Sequence, residues 1–384
     1  MMLRKIKTHS TVTVLCALTV CLSVWWFALP HDKQEQSIGE DDKITLSEER
    51  QIARKASPKV NVYHSDQQEK EIRGSSSRER CQPINRFIFI KTEKTGSSTM
   101  TSLLFRYGLK NDLVAALVPD ETYLIRYDKL AENYEILRYN CTDFPGYDFI
   151  ANHINYKREA MENIIQGAKY ITIIRSPYTH VRSRFFFFGP HKSFSNASTD
   201  SEAFLAYLKW KNDSYEQLGR ATWGENSLSM RFGIYSQNPK VLSENFQKLD
   251  EELDLVMLTE YFDESLILLR KLMCWSFEDI VYYPQKVDRT PHPPITSEMR
   301  DFIDKLSMAD IQMYDYFNKT FWEKVKSYGD GFDEDLLKFR SIKRDVTENC
   351  EMEPESDYCR LLHMDDLPIT KVAYRRQMRW MCTD

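Results

Sequence analysis

A short apolar strand that runs straight into a Lys, Thr, Gly and Ser turn constrains the fold of this chain more than any other feature. Residues 87–90 read Phe-Ile-Phe-Ile, the turn covers 91–99, and a helix-like run extends from Met100 to Tyr107. A buried strand that enters a helix through such a loop directs backbone N–H groups and the positive end of the helix dipole at one point. The segment predicts an α/β unit with a seat for a phosphate or sulfate group, to which Lys94 adds a mobile positive charge.

The residue order in this loop argues against a nucleoside triphosphate site. Loops of the form G-x-x-x-x-G-K-[ST] place the lysine directly after the last glycine. Here Lys91 and Lys94 both precede Gly96, the only glycine of the loop. The nearest acidic candidate for a magnesium ligand is Asp254, at the start of another apolar run. A kinase or ATPase is therefore disfavoured, and a magnesium-dependent nucleotide kinase stays only as a third option.

A second anion-binding motif follows another strand-like run, residues 170–174. This run ends in Arg175, Ser176 and Pro177, and proline favours the first turn of a helix. That helix carries Ser183, two turns on, so the Arg fork and the Ser hydroxyl can converge on one phosphate. Each residue alone has a structural alternative, a cap on the sheet edge or a surface position. Two anion seats at strand ends of an α/β pattern disfavour that alternative.

Together the two motifs, Lys-Thr-x-Lys-Thr-Gly-Ser-Ser-Thr and Ile-Ile-Arg-Ser-Pro with a downstream Ser, resemble the nucleotide motifs of the Golgi sulfotransferases. More narrowly, the chain is similar to the galactose 3-O-sulfotransferase family. The resemblance spans roughly residues 86–328. Further segments that carry it are 150–153, 184–190, 225–230, 253–266, 273–275 and 316–322.

The resemblance implies the P-loop-containing sulfotransferase fold, with a central mainly parallel sheet flanked by helices. It also implies 3′-phosphoadenosine 5′-phosphosulfate as the sulfate donor, with no metal required. Arg175 and Ser183 would hold the 3′-phosphate. The residues expected around the 5′-phosphosulfate are Lys91, Thr92, Lys94, Thr95, Gly96, Ser97, Ser98 and Thr99. Lys91 has the alternative of simply capping its strand.

Sulfate transfer to an alcohol needs a group that neutralises charge on the leaving phosphate and a base that takes the alcohol proton. Lys94 is placed for the first role. His153 is the candidate base, because it follows the apolar run 147–151 and has an ordinary pKa near the pH of the Golgi lumen. A structural histidine is the alternative. Glu93 is the rival base, although the resemblance implies histidine here in many family members.

The expected acceptor is the 3-hydroxyl of a terminal galactose on galactosylceramide, a related glycolipid or a glycoprotein glycan. Trp223, Asn226 and Arg231 are candidates for the acceptor pocket, on the family match. Two alternatives stay open: a glycosaminoglycan uronosyl 2-O-sulfotransferase, and a catalytically inactive luminal sugar-binding protein. The net charge of −5 argues against a nucleic-acid binder.

The N-terminal pattern predicts a single-pass type II protein of the Golgi membrane. A basic cytoplasmic tail (1–10) precedes an apolar signal-anchor helix (11–30), a polar luminal stem (31–80) and a luminal catalytic domain (81–384). A cleaved signal peptide is the alternative, but Trp25 and Trp26 stand where small cleavage-site residues are expected. The oligomeric state stays open, with a homodimer as one option.

Cysteines and glycosylation sequons fit a luminal domain. From Cys81 onward an even number of cysteines permits disulfides, and Cys350 with Cys359 is the best candidate for a local bridge. Sequons of the form N-x-[ST] begin at Asn140, Asn196, Asn212 and Asn318.

Overall fold

The computed structural model describes residues 81–117, 144–194, 196–217, 225–287 and 290–380. Within these ranges, no helix combines the length and the hydropathy that a membrane span requires. The predicted tail, anchor and stem, residues 1–80, lie outside the described residues, as does the candidate acceptor residue Trp223.

The centre of the described fold is a parallel sheet. Its strands are β1 (Phe87–Ile90), β2 (Phe149–Ile150), β3 (Lys169–Ile174) and β4 (Leu255–Leu258), in the spatial order β2-β1-β3-β4. The strands are continuous apolar runs because helices cover both faces of a parallel sheet, and nearly all of their residues are buried. The predicted α/β class with a parallel sheet is confirmed.

Helices occupy the connections between the strands and the segment that follows β4. They are α1 (Ser97–Lys110), α2 (Arg158–Glu162), α3 (Pro177–Phe187), α4 (Asp200–Gln217), α5 (Ser227–Arg231), α6 (Pro239–Glu252), α7 (Phe262–Met273), α8 (Ser297–Leu306), α9 (Met308–Tyr328), α10 (Gly331–Met352), α11 (Asp357–His363) and α12 (Asp366–Trp380). Short 3-10 turns lie at Pro190–Phe194, Thr259–Tyr261 and Glu278–Ile280.

Helix α1 packs closely on the sheet because one of its residues lacks a side chain. Met100, Leu104 and Phe105 are fully buried. A Cβ atom added at Gly108 would lie 2.6 Å from a ring carbon of Phe149 on β2, well inside van der Waals contact. Glycine at this position therefore lets the helix that follows the anion loop rest directly against the sheet.

A second apolar cluster supports the helix that carries the Arg175–Ser183 motif. Val181 and Phe185 of α3 pack with Phe204 and Leu208 of α4 and with Ile303 of α8. The first residue of α3 is Pro177, as predicted from its position after the strand. The second anion motif is thus fixed by its own core.

The strand order places the binding crevice. The chain leaves β1 toward β2 on one side of the sheet, whereas it leaves β3 toward β4 on the other. Ligands of open α/β sheets bind where neighbouring connections diverge in this way, outside the carboxyl ends of the strands. The loop after β1 and Arg175 after β3 both lie at that point.

Two disulfides cross-link the described chain. The predicted bridge between Cys350 and Cys359 is confirmed and joins α10 to α11, with Cα atoms 5.3 Å apart. A second bridge joins Cys81 to Cys274 across 193 residues and was not predicted. Beside it the backbone N–H of Ile84 donates to the carbonyl of Met273 at 2.9 Å. Cys141 and Cys382 lie outside the described residues.

Candidate active site

The loop after β1 has the backbone shape of an anion-binding turn. Lys94 and Gly96 both take left-handed conformations, with φ angles of 57° and 75°. In anion-binding turns, residues of opposite hand alternate and direct successive N–H groups to one side. The N-terminus of a helix such as α1 adds further N–H groups. At Gly96 a Cβ would lie 3.2 Å from a ring carbon of Phe262, so both φ and space favour glycine. A lysine in the left-handed region is uncommon and marks Lys94 as held there by its surroundings.

Several hydroxyls predicted to contact the anion are used to build the loop. Thr92 Oγ1 donates to the carbonyl of Ile173 on β3 at 2.5 Å, and Thr95 Oγ1 donates to the carbonyl of Thr92 at 3.2 Å. The Ser97 hydroxyl donates to the same Thr92 carbonyl. Their direct contact with a donor stays a prediction. What the geometry provides at the loop is its backbone N–H groups and the Lys94 ammonium.

The structure brings the two anion motifs together. Arg175 Nη1 donates to the carbonyl of Lys94 at 3.1 Å, and Arg175 Nε donates to Thr179 at 2.9 Å. Thr259, directly after β4, donates to the carbonyls of Thr95 at 2.7 Å and of the β3 end at 3.0 Å. Ser183 lies on the same helix as Thr179 and is partly buried. Hydrogen bonds therefore link the segments that follow β1, β3 and β4 at the carboxyl edge of the sheet.

An exposed aromatic ring contacts the lysine proposed for catalysis. Lys94 Nζ lies 3.5 Å from the ring centroid of Phe187, and Phe187 is 58% exposed although it is large and apolar. A cation over a ring face is attracted by the ring quadrupole. In the same run of phenylalanines, Phe185 is buried in the core.

His153 lies beside the loop at the end of β2. It forms an isolated β-bridge with Lys91, and its Nδ1 lies 3.3 Å from the carbonyl oxygen of Lys91. A carbonyl accepts only, so the contact assigns the proton to Nδ1 and leaves the lone pair on Nε2. Burial, followed by the charges of Lys91 and Arg231, lowers the pKa of His153 well below its ordinary value. The expectation of an unperturbed pKa was wrong, because burial disfavours the charged imidazolium and the two cations add repulsion.

Next to this histidine stands a buried amide without a partner. Asn152 is 0% exposed, and neither its Nδ2 nor its Oδ1 has a hydrogen-bond partner among the described residues. Unsatisfied amides in protein interiors are rare, because each lost hydrogen bond is costly.

Glu93 has a cationic partner on α5. Its carboxylate forms an ion pair with Arg231 Nη2, and Arg231 Nη1 donates to Asn155 at 3.0 Å. Asn226, the other described candidate for the acceptor pocket, is buried and accepts hydrogen bonds from Ala309 N–H at 2.9 Å. Arg231 therefore lies near the catalytic candidates, whereas Asn226 stabilises the start of α9.

Lys91 has its side chain in the interior. It is 0% exposed, and Nζ lies 2.5 Å from Asp366 Oδ2. Lys286 Nζ reaches the other oxygen, Asp366 Oδ1, at 2.7 Å. Burial lowers the pKa of Lys91 against the attraction of Asp366. Burial alone would raise the pKa of Asp366, but the two lysines outweigh it and hold that pKa well below its usual range. Direct contact of Lys91 with a donor stays a prediction.

The acidic candidate for a magnesium ligand is remote from this crevice. Asp254 precedes β4 and accepts from Lys169 Nζ at 2.7 Å and from the Tyr170 N–H at 2.8 Å, at the amino ends of the strands. In the described ranges, no three His, Cys, Asp or Glu residues are grouped in a way that could hold a metal ion.

A buried histidine under the loop predicts acid sensitivity. His180 is 1% exposed and its Nε2 contacts the Glu93 carbonyl at 2.8 Å. Burial, with the charges of Arg184 and Arg175, lowers its pKa from 6.5 to about 3. As the pH falls below 6.5, the unfolded chain binds a proton that native His180 does not, so stability is lost. At pH 5 this one group lowers the free energy of unfolding by about 2 kcal/mol.

The variant His180→Gln is expected to flatten the acid limb of the stability curve, because its amide keeps a donor for the Glu93 carbonyl and does not titrate. Urea unfolding at pH 7.5 and at pH 5 measures the difference between the two proteins. Equal acid losses in wild type and variant would contradict this assignment.

An open parallel sheet that brings the two predicted anion motifs together at its switch point defines an α/β protein with a candidate site for phosphate or sulfate groups. A family model described as galactose-3-O-sulfotransferase matches residues 45–357. The chain belongs to the galactose-3-O-sulfotransferase family.

Relatives of known name agree with this assignment. The chain is 31% identical over 258 residues to galactosylceramide sulfotransferase of Mus musculus, covering 65% of this chain and 60% of that protein. It is 30% identical over 267 residues to galactosylceramide sulfotransferase of Homo sapiens, covering 67% and 62%. Identity to galactose-3-O-sulfotransferase 2 of Mus musculus is 23% over 293 residues, 74% of each chain. The alignments with the two galactosylceramide sulfotransferases thus span about three fifths of those proteins.

Proposed function

We propose that this protein transfers sulfate from 3′-phosphoadenosine 5′-phosphosulfate to the 3-hydroxyl of a terminal galactose. The observation that carries the proposal is the convergence of Lys94, Arg175 and His153 at the carboxyl ends of three neighbouring parallel strands. Membership of the galactose-3-O-sulfotransferase family supports the same chemistry.

The residues present fit such a donor. The loop at 94–96, with left-handed residues at Lys94 and Gly96, suits the binding of an anionic oxygen by backbone N–H groups. Arg175 and Ser183 supply the second seat, for the 3′-phosphate. When bound, the donor supplies an activated sulfuryl group on a phosphate leaving group.

Two side chains carry the proton and charge changes of transfer. Lys94 neutralises the negative charge that develops on the leaving oxygen, and the N–H groups of the loop assist it. His153 accepts the proton of the sugar hydroxyl at Nε2, while the Lys91 carbonyl fixes the opposite ring nitrogen and hence the ring orientation. The depressed pKa keeps this imidazole neutral, and therefore able to accept a proton, throughout the neutral and mildly acidic range.

For the acceptor, the proposal places galactose-terminated glycolipids first. Two of the relatives are named galactosylceramide sulfotransferase, and they match with higher identity than the mouse galactose-3-O-sulfotransferase 2. A galactose-capped glycoprotein glycan is the second acceptor class.

Transfer of radiolabelled sulfate from the donor tests the proposal directly. The purified chain is offered galactosylceramide in detergent, lactose-type disaccharides and desulfated heparan in parallel, each with and without a chelator. Labelling of the galactosides that resists the chelator is the expected result. Labelling of heparan alone would indicate a uronosyl 2-O-sulfotransferase. Donor binding without transfer to any acceptor would indicate an inactive sugar-binding protein.

We also propose a Golgi location, with one N-terminal membrane helix and a luminal catalytic domain. This proposal is supported by the sequence pattern of residues 1–80 and by the two disulfides, which need an oxidising compartment to persist. A homodimer stays an open prediction, which sedimentation of the purified protein would test.

A luminal domain predicts that the accessible sequon carries a glycan. Asn196 is exposed in a turn, whereas Asn212 is 7% exposed within α4 and donates to Glu216 at 3.2 Å. In secreting cells, Asn196→Gln is expected to remove one glycosidase-sensitive increment of mass, and Asn212→Gln to remove none. An unchanged mass for Asn196→Gln would contradict glycan attachment at this site.

A further inference from the structure

Both ends of the anion-binding loop meet on a single carboxylate oxygen. Lys91 precedes the loop and Ser98 lies in the first turn of α1. Lys91 Nζ lies 2.5 Å from Asp366 Oδ2, and Ser98 Oγ donates to the same oxygen at 2.9 Å. Asp366 is the first residue of α12, far away in the sequence. The segment between the two contacts contains Lys94 and Gly96, whose backbone forms the anion seat.

The carboxylate is well held on its own side. It is 1% exposed, and its second oxygen accepts from Lys286 Nζ at 2.7 Å and from the Leu367 N–H at 3.0 Å. The positive charges of two lysines thus compensate the carboxylate. If Asp366 lost its charge, the buried ammonium of Lys91 would lose its main counter-charge. Breaking one side of a buried pair is far more disruptive than losing a surface pair.

Further hydrogen bonds fix α12 and the residues before it against α1 and the segment that follows α1. Gln377 exchanges two hydrogen bonds with the backbone of Ala115, at 3.1 and 3.0 Å, and Ser102 of α1 donates to the carbonyl of Met364 at 2.7 Å. The family match ends at residue 357, before this helix begins. The contact between Asp366 and the loop is therefore a feature that the family assignment does not contain.

The same contact reaches the candidate base. The carbonyl of Lys91 orients the His153 ring through Nδ1 at 3.3 Å, so the residue that pairs with Asp366 also fixes the imidazole. A shift of Lys91 would move the start of the loop and the ring together. Positions within a catalytic site matter at the scale of a fraction of an ångström.

We propose that Asp366 is a positioning residue that closes the anion-binding loop by holding Lys91 and Ser98 on one oxygen. In this role it sets the place of the Lys94 seat for the donor and the orientation of His153. The inference rests on the proposed function where it names the donor. The loop geometry on which it is built does not depend on that function.

The test compares Asp366→Asn with Asp333→Asn, an exposed carboxylate in the first turn of α10. Calorimetry measures binding of 3′-phosphoadenosine 5′-phosphate, the donor product, without any turnover. Asp366→Asn is expected to weaken this binding by at least tenfold and to lower kcat, with the KM for the acceptor changed less than twofold. Asp333→Asn is expected to bind within twofold of wild type.

A milder variant covers the case in which Asp366→Asn does not fold. Ser98→Ala removes one end of the closure while the buried pair remains, and a loss of product binding of about threefold to tenfold is expected. When Asp366 is already replaced by Asn, adding Ser98→Ala should weaken product binding little further, because the oxygen that Ser98 contacts is already altered.

Product binding by Asp366→Asn equal to wild type, together with a lowered Tm, would overturn the inference and leave Asp366 a purely structural residue. Wild type that binds the product but sulfates no acceptor would overturn the proposed function only, since the binding comparison would still decide the role of Asp366. Wild type that does not bind the product would overturn both.

Discussion

Replacing Lys94 with methionine is expected to lower kcat for sulfate transfer by about 10²–10³-fold, the range measured when one stabilising donor is removed from a preorganised site. Methionine keeps much of the side-chain length and its packing over the Phe187 ring, so the change removes mainly the charge. Steady-state assays with radiolabelled donor measure the loss, and calorimetry with the donor product measures binding. The loss in kcat should exceed the loss in binding, because the charge on the leaving oxygen develops during the reaction.

A lysine elsewhere on the surface provides the control. Lys240, in the first turn of α6, is exposed and lies outside the crevice, so Lys240→Met should retain wild-type turnover. Turnover by Lys94→Met within threefold of wild type would show that another group neutralises the leaving oxygen, and the assignment of Lys94 would be wrong.

The second large effect is expected for His153→Ala, which should reduce kcat by about 10²–10⁴-fold, as loss of a general base does. Donor-product binding should stay near that of wild type. Because the pKa of His153 lies well below 6.5, wild-type kcat should stay level as the pH falls from 8 to 6 and decline only in stronger acid. An ordinary histidine would instead lose half of its activity near pH 6.5.

Glu93→Gln separates the rival base from the preferred one. Its carboxylate pairs with Arg231, so the variant should change the KM for the acceptor more than kcat. If kcat fell a hundredfold or more in Glu93→Gln while His153→Ala retained full turnover, Glu93 would be the base and the assignment of His153 would be wrong.

The features of the fold that were predicted from the sequence are those that depend on residues close together along the chain. The apolar runs became β1, β3 and β4, the loop at 91–99 became a strand-to-helix turn, and Pro177 began a helix. The bridge between Cys350 and Cys359 closes only a short segment, so proximity along the chain was enough to suggest it. Hydrophobic pattern and turn chemistry are local properties, and they determine these features locally.

The contacts that sequence reasoning missed are long-range. Asp366 lies 275 residues from Lys91, and no periodicity or motif connects the two positions. Side-chain direction was equally hidden: the hydroxyls of Thr92, Thr95 and Ser97 bond to backbone carbonyls of the loop and of β3. The lowered pKa of His153 follows from burial and from two cations on other elements, which only the folded arrangement brings near.

The bridge between Cys81 and Cys274 determines how the described domain bears a mechanical load. Any tension applied through the chain before Cys81 passes at this bridge into the end of α7, and the Ile84 hydrogen bonds to Met273 and Trp275 lie just behind it. Strand β1 begins only at Phe87, beyond this point of attachment. Tension that reaches Cys81 is therefore shared with the end of α7 before it reaches β1 and the loop that follows it.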